Sequence, residues 1–384
     1  MINTFHWKVP LGGLSGQDNP MLHEAAQLLR EGELVAFPTE TVYGLGADAA
    51  NPAAVEAIFA AKGRPSDNPL IVHIADRSQL TALCRNVPPL AERLMDAFWP
   101  GPLTFVLPVR PEAVSGRVTA GLDTVAVRMP DHPAALALIR QSGRYIAAPS
   151  ANRSGRPSPT RAEHVLEDLD GRICGIVDAG PTGLGLESTV IQLEGDVLHV
   201  LRPGGITAEQ LQAVCGEKIH VVVSEGPAPA ADAPSAMREA SDEQVNRVEG
   251  QAVISTPDLE APRSPGMKYT HYAPAGQMIL VTGERPQQVL AKLQQLVNEA
   301  KQQGHRTAVL AFADEVPLLT ADVVLGCGAD GQLEPLAAQL YHALRFFDEA
   351  GATFIAARGC RRTGIGHALL NRMEKAAGHR IEQV

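Results

Sequence analysis

The sequence is poor in the features that mark several broad classes of protein. Aromatic residues make up only 4% of it, and they are not interleaved with basic ones, which leaves little for stacking along nucleic acid. Positive charge is in deficit: 33 Lys and Arg stand against 43 Asp and Glu, a net of −10. A chain of that sign does not bind nucleic acid broadly through a positive face, although a local basic pocket stays open. No apolar run reaches the length of a membrane span, and the opening MINTFHWKVPLGG lacks the apolar stretch of a secretory signal. The cysteines, Cys84, Cys174, Cys215, Cys327 and Cys360, are scattered without a CxxC pair. Neither a zinc signature nor a disulfide framework follows, and each reads as a small core residue in a reducing, cytoplasmic setting. No Ser-His-Asp order, HExxH or paired carboxylate occurs, and the P-loop pattern is absent.

What is there is a chain able to build a core. Hydrophobic residues make up 45% and charged residues 20% of 384 positions, which points to two domains. In the first part, helical and strand signals alternate. Asn19-Pro20 and Asn51-Pro52 read as helix starts, and Gly32 and Gly63 as the matching stops. Apolar runs at 34–37, 70–74, 104–109, 124–129 and 145–150 read as buried strands, with helices near 88–98 and 133–141 between them. Residues 188–193 and 197–201 read as a hairpin across Glu194-Gly195-Asp196. From Ser224 the chain turns rich in Ala, Pro, Ser and acids with no apolar period, which predicts a mobile linker. Beyond it, strands at 278–281, 307–312, 322–325 and 353–357 alternate with helices at 286–303, 333–349 and 365–377, as in a small Rossmann-like layer. The expected division is 1–223, a linker at 224–274, and 275–384.

Several segments place polar and turn-forming residues directly after an apolar run, where α/β folds take ligands. In FPTETVYGLGADA (37–49), Thr39, Glu40 and Thr41 offer oxygens, and Gly44 and Gly46 let the backbone turn or approach a ligand. In KGRPSDNPLIVHI (62–74), Lys62 and Arg64 close a helix before a Pro-restricted loop; they either complement the helix dipole or contact phosphates. His73 interrupts an apolar strand, as a structural residue or a site residue. Arg128 ends another strand and needs an anionic partner, either a substrate carboxylate or an acidic side chain. APSANRSGRPSPT (148–160) is a donor-rich loop of small residues, the kind that wraps phosphates. Ser188 opens the hairpin and Arg202 closes it. Cations, hydroxyls and amides suit the binding of nucleotide and carboxylate, with catalysis by positioning and charge stabilisation.

Together PTETVYGLG, KGRPSDNPLIVH, WPGPLT, VAVRMPDHP, APSANRSG, ESTV and LRPG resemble the YrdC/Sua5 family of threonylcarbamoyl-AMP synthases. SPGMKYTHYAP (264–274) resembles the signature that joins that catalytic domain to the Sua5-type C-terminal domain. The stretch 224–262 is longer and richer in Ala and Pro than the family pattern. The resemblance implies an α/β fold: an open twisted YrdC-like sheet domain with a smaller Rossmann-like C-terminal domain. It implies a nucleotidyltransferase that makes threonylcarbamoyl-AMP and pyrophosphate from L-threonine, bicarbonate or CO₂, and ATP, with Mg²⁺ on the phosphates. The product would pass to a transferase that modifies adenosine 37 of tRNA; direct contact with tRNA is left open. Matched by motif, Thr39, His73, Arg128, Ala148 through its backbone, and Ser188 would hold L-threonine. Arg64, Asn68, Thr124, Ser150, Ser158 and Arg202 would hold ATP, with Tyr272 closing over the nucleotide as part of a lid at 264–274. Lys62 and Arg64 would serve catalysis, with Asn152 assisting, and no protein metal site is implied.

Two other readings were weighed. A carbamoyltransferase of the hydrogenase-maturation type uses a related domain, but its acylphosphatase and Cys-rich zinc segments have no counterpart here. A non-catalytic RNA-binding module is disfavoured by the net charge.

Overall fold

The apolar runs become the strands of two separate sheets. The structure is a computed structural model and describes residues 2–10, 20–223 and 272–384. The linker expected at 224–262, most of the 264–274 signature and the Asn19 cap therefore lie outside the described residues.

The first sheet holds β1 (Phe5–Lys8), β2 (Val35–Phe37), β3 (Gly44–Asp48), β4 (Ile71–His73), β5 (Leu103–Pro108), β6 (Thr124–Arg128), β7 (Ile146–Ala147), β8 (Gly175–Asp178), β9 (Thr189–Glu194), β10 (Val197–Arg202) and β11 (His220–Val223). Its order is β1-β8-β2-β3-β7-β4-β6-β5-β9-β10-β11, with parallel and antiparallel pairs mixed, so it is an open sheet and not a doubly wound one. The expected hairpin is present as β9 and β10, antiparallel with Leu193 opposite Leu198. The second sheet holds β12 (Gln277–Thr282), β13 (Thr307–Ala311), β14 (Val323–Gly326), β15 (Phe354–Arg358) and β16 (Ile381–Gln383) in the order β14-β13-β15-β12-β16. Every pair in it is parallel, as buried apolar strands joined by helices require.

Local chemistry sets the boundaries. The helix Pro52–Lys62 begins where the Asn51 side chain accepts from the N–H groups of Ala53 and Ala54, and it ends at Gly63 in the left-handed conformation. The glycines of the GLG segment, read as a turn or as an approach to a ligand, do not form a turn. Gly44 and Gly46 lie inside β3, where a Cβ on Gly46 would stand 2.8 Å from Phe37 Cε1 and 3.0 Å from Ile146 Cγ2. Their lack of a side chain serves the close passage of β3 between its neighbours.

The two sheets meet through one apolar cluster. Val42, Leu186 and Tyr272 pack with Leu336, Leu340 and Tyr341 of the helix Glu334–Glu349. Gly185 touches that helix so closely that a Cβ would stand 2.5 Å from the Ala337 carbonyl oxygen.

Gly46→Ala should cost about 1–3 kcal/mol of stability through overpacking. Gly116→Ala, with nothing within 4 Å of the added Cβ, should be neutral or slightly stabilising. Denaturant titration of both variants measures this, and equal effects would contradict the packing account.

Candidate functional site

One end of the first sheet collects most of the singular residues. β4 and β6 are parallel and end together, with His73 opposite Arg128. β5 starts beside them, with Thr104 opposite Arg128, and β9 starts beside β5, with Leu103 opposite Thr189. β10 returns to the same end at Arg202. The loops after β2 and β7 close over it. The pocket so formed is lined by Thr39, Thr41, Gly44, Arg64, His73, Arg128, Ala148, Ser150, Asn152, Arg156, Ser158, Glu187, Ser188, Arg202 and Tyr272, among others. Arg64, Arg128, Arg156 and Arg202 give it a positive wall.

The Thr39 side is built on hydroxyls. Thr39 Oγ1 donates to the Val42 carbonyl at 2.7 Å and lies 2.7 Å from Thr41 Oγ1, which accepts from Arg128 Nη1 at 2.9 Å. Thr39 Oγ1 also accepts from the backbone N–H groups of Thr41 at 3.2 Å and Val42 at 3.3 Å, so this hydroxyl is tied on all sides into the loop it starts. Arg128 Nη2 stands 2.6 Å from Glu40 Oε1 but out of hydrogen-bond alignment, so that contact is one of charge. The anionic partner expected for Arg128 is thus Glu40 in this structure, a residue the sequence reading named only as an oxygen donor. His73 is buried against the edge of Phe37, and burial, with Arg128 next, lowers its pKa to about 3. It is a neutral imidazole, and its Nδ1 has no hydrogen-bond partner among the described residues.

The Arg202 side centres on Glu187. This buried carboxylate accepts from Ser158 Oγ at 2.7 Å, from Tyr341 OH at 2.9 Å and from Arg372 Nε at 2.8 Å. Burial alone would raise its pKa, but Arg372 and then Arg202 outweigh that and hold the carboxyl at about 2. Arg202 Nη2 donates to Ser188 Oγ at 3.1 Å and to its carbonyl at 2.9 Å. A Cβ on Gly204 would stand 2.3 Å from the Thr189 nitrogen, which keeps this turn glycine. Tyr272 stacks on Tyr341 at 5.2 Å with Arg372 over its ring.

The donor-rich loop is held from behind. Lys62 Nζ donates to the carbonyls of Ser150 at 2.5 Å and Asn152 at 2.6 Å. Burial, with Arg64 next, pushes the Lys62 pKa well down. Ser150 Oγ donates to Asn152 Oδ1, and Asn152 Nδ2 donates to the Arg153 and Arg156 carbonyls. Arg345 from the second unit, fully buried, bonds the Pro157 carbonyl at 2.6 Å and Asp168 at 2.8 Å. Arg156 also pairs with Asp168.

The structure therefore brings Thr39, Arg64, His73, Arg128, Ala148, Ser150, Ser158, Ser188, Arg202 and Tyr272 into one pocket. Lys62, Asn68 and Thr124 lie outside its lining. Lys62 is turned to the loop carbonyls, a positioning place and not one facing the pocket. Asn68 is fully buried, and its amide atoms have no partner among the described residues. Thr124 stands at the far end of β6 from Arg128, roughly 13 Å away at strand spacing. Of the 264–274 lid, only Tyr272–Pro274 fall within the described residues, and Tyr272 is buried with φ +71°. Glu187, Arg345 and Arg372 were missed, while Thr41 was read only as one of three oxygen-bearing residues in its segment. The signal available for Glu187 was its place beside Ser188 in ESTV.

Two family profiles match the chain: one described as "Telomere recombination" over residues 27–204, and one described as "Threonylcarbamoyl-AMP synthase, C-terminal domain" over 206–378. A Bacillus subtilis (strain 168) protein named threonylcarbamoyl-AMP synthase is 52% identical over 380 residues, 99% of both chains. A Pyrococcus abyssi protein of the same name is 46% identical, covering 94% of this chain and 95% of its own. The crystal structure of P. abyssi Sua5 complexed with L-threonine is 43% identical and superposes with a TM-score of 0.81 over 100% of this chain and 99% of that one.

Acid should unfold the protein early. His73 and His164 both have folded pKa values near 3, set first by burial, below the ordinary 6.5. The unfolded chain takes up those protons first, so stability is full above pH 6.5 and falls towards pH 3. Glu187, depressed from 4.5 to about 2, adds its own loss only below pH 4.5. Tm measured by calorimetry at pH 7, 6, 5 and 4 should fall steadily, and an unchanged Tm between pH 7 and 5 would contradict the buried neutral histidines.

Proposed function

The chain belongs to the threonylcarbamoyl-AMP synthase family, and we propose that its polar pocket joins L-threonine, carbon dioxide and ATP into threonylcarbamoyl-AMP, releasing pyrophosphate. The observation that carries this reading is the division of the pocket: hydroxyls, the neutral His73 and one guanidinium around Arg128, further guanidiniums at Arg64 and Arg202, and a lining carboxylate, Glu187, that is already bonded.

The amino acid sits at the Thr39 end. Its carboxylate pairs with Arg128, displacing or sharing Glu40, in the fork geometry that guanidinium offers. Its amine donates to an acceptor such as the Ala148 carbonyl, with Thr39, whose hydroxyl is tied into its own loop, shaping that end of the pocket. The neutral His73 adds no charge that would repel that amine. ATP lies along Arg64 and Arg202. Ser150 and Ser158 both spend their protons inside the protein, so they accept from ribose or base donors and do not donate to phosphate.

The chemistry is addition followed by displacement. The free amine adds to carbon dioxide, forming the N–C bond and losing a proton, and a carbamate results. A carbamate oxygen then attacks the α-phosphorus, the bond to the bridging β-oxygen breaks, and pyrophosphate leaves. The protein contributes position and charge. Mg²⁺ enters with ATP as part of the substrate. The pocket suits that role: its lining carboxylate, Glu187, is already bonded by Ser158, Tyr341 and Arg372. No group of three or more metal-binding side chains occurs among the described residues. A hydrated ion riding on phosphates needs no protein cage. The product is destined for transfer to tRNA by a second enzyme. Among the described residues no helix is long and apolar enough to cross a membrane.

Pyrophosphate release is the test. It should require L-threonine and bicarbonate together. Arg128→Lys, which keeps charge but loses the fork, should raise KM for threonine roughly 10-fold or more, the size of one lost charge-assisted hydrogen bond, and leave KM for ATP nearly unchanged; Arg64→Ala should do the reverse. Release without threonine, or two variants that disturb both substrates alike, would overturn the assignment.

A further inference from the structure

The second sheet ends in a cleft that the chemistry above does not use. β12 and β15 are adjacent and parallel, with Val281 opposite Arg358. The chain leaving β12 crosses past β15 to β13, and the chain leaving β15 crosses past β12 to β16. Neighbouring strands whose connections depart in opposite directions open a crevice beyond their carboxyl ends, and open α/β sheets take their ligands there. A cavity occupies that place. It shares no lining residue with the pocket of the first sheet.

The chain leaves β15 through a loop bounded by two tightly packed glycines. A Cβ on Gly359 would stand 2.6 Å from Thr282 Cγ2, and one on Gly366 would stand 2.0 Å from the Arg361 carbonyl oxygen. The loop between those glycines, Cys360-Arg361-Arg362-Thr363-Gly364-Ile365, leads into the helix Gly366–Ala376. After β12 the helix Pro286–Gln302 starts at Arg285 without a side-chain cap. The cavity wall carries Arg285, Arg361 and Arg362 together with the acidic side chains of Glu284, Asp330 and Glu374. Arg285 has no ion-pair partner among the described residues. Arg361 and Arg362 pair with Asp330 and Glu374, but with side chains 78% and 51% exposed. Such surface pairs hold weakly and exchange readily for a better anion. The fourth guanidinium, Arg358, is committed to Glu315 at 3.2 Å and to the Phe312 ring, so it is structural.

We propose that this cleft is a second small-molecule site, specific for a phosphate group held by Arg285, Arg361 and Arg362. The anion meets planar donors that bind phosphate oxygens in pairs, and it lies beside the uncapped start of a 17-residue helix. The phosphate belongs either to a nucleotide or to inorganic pyrophosphate.

Equilibrium dialysis of the full chain tests this, with labelled ATP and labelled pyrophosphate in separate runs. The wild type should bind two equivalents of at least one probe. Arg361→Glu/Arg362→Glu should lose one equivalent and keep threonine-dependent pyrophosphate release. Arg285→Glu, a change at an exposed and unpaired position, should weaken the same equivalent at least tenfold. Arg64→Ala should retain the equivalent that the double variant loses, which separates this site from the first pocket. Two equivalents of ATP but one of pyrophosphate assigns the cleft to a nucleotide, and the converse assigns it to the inorganic anion. A single equivalent of each probe in the wild type, or two equivalents surviving in the double variant, would overturn the proposal.

Discussion

The buried carboxylate of Glu187 is the constraint on which the arrangement rests. It lies in the connection before β9, yet two of its partners, Tyr341 and Arg372, come from helices 154 and 185 positions further along the chain. Removing one partner of a buried charge pair costs about 3–5 kcal/mol, because the other is left uncompensated. The carboxylate therefore fixes where the helices Glu334–Glu349 and Gly366–Ala376 sit against the first sheet. Those helices in turn shape the pocket: Tyr341 carries the Tyr272 ring, Arg345 holds the Pro157 carbonyl, and Arg372 holds the Pro203 carbonyl. The second unit thus stands behind the wall of a site lined by residues of the first unit and by Tyr272.

The same bonds decide what the pocket can recognise. A hydroxyl has one proton, and at Thr39, Ser150 and Ser158 that proton is spent on Val42, Asn152 and Glu187. At Ser150 and Ser158 what is left for a ligand is lone pairs; at Thr39 the lone pairs are themselves taken by the N–H groups of Thr41 and Val42. The donors are guanidiniums at Arg64, Arg128 and Arg202. A ligand that brings an amine or sugar hydroxyls to the first set and a carboxylate or phosphates to the second is matched on both counts. Lys62, despite its charge, spends its donors on loop carbonyls, and so its work is to keep Ser150 and Asn152 in place.

Much of this was legible in the sequence, for physical reasons that differ by element. Runs such as LIVHI and TVAVRM declare strands because both faces are buried, and Asn51-Pro52 with Gly63 declares a helix through its caps. β3 was not legible: GLGAD reads as a turn, and only the closeness of Phe37 and Ile146 explains glycine inside a strand. β1, four residues with largely exposed side chains at the sheet edge, carries no apolar period. The polar singularities in the first part pointed to the pocket because polar groups after apolar strands need a reason. Arg345 and Arg372 gave no such sign. On amphipathic helices an arginine reads as solvated, and their carboxylate partners lie more than a hundred positions away, where local pattern has no reach. Glu40 shows the same limit: the need of Arg128 for an anion was readable, but not which one answered it.

Glu187 and Arg372 work as one unit that sets the Arg202 side of the pocket, the side proposed for ATP. A double-mutant cycle of Glu187→Gln and Arg372→Met, read as the affinity of the full chain for ATP by calorimetry, measures that directly. The account predicts that the double variant binds ATP little worse than either single variant, because each change already breaks the pair. Strictly additive losses, or ATP affinity untouched by Arg372→Met in a folded protein, would contradict it.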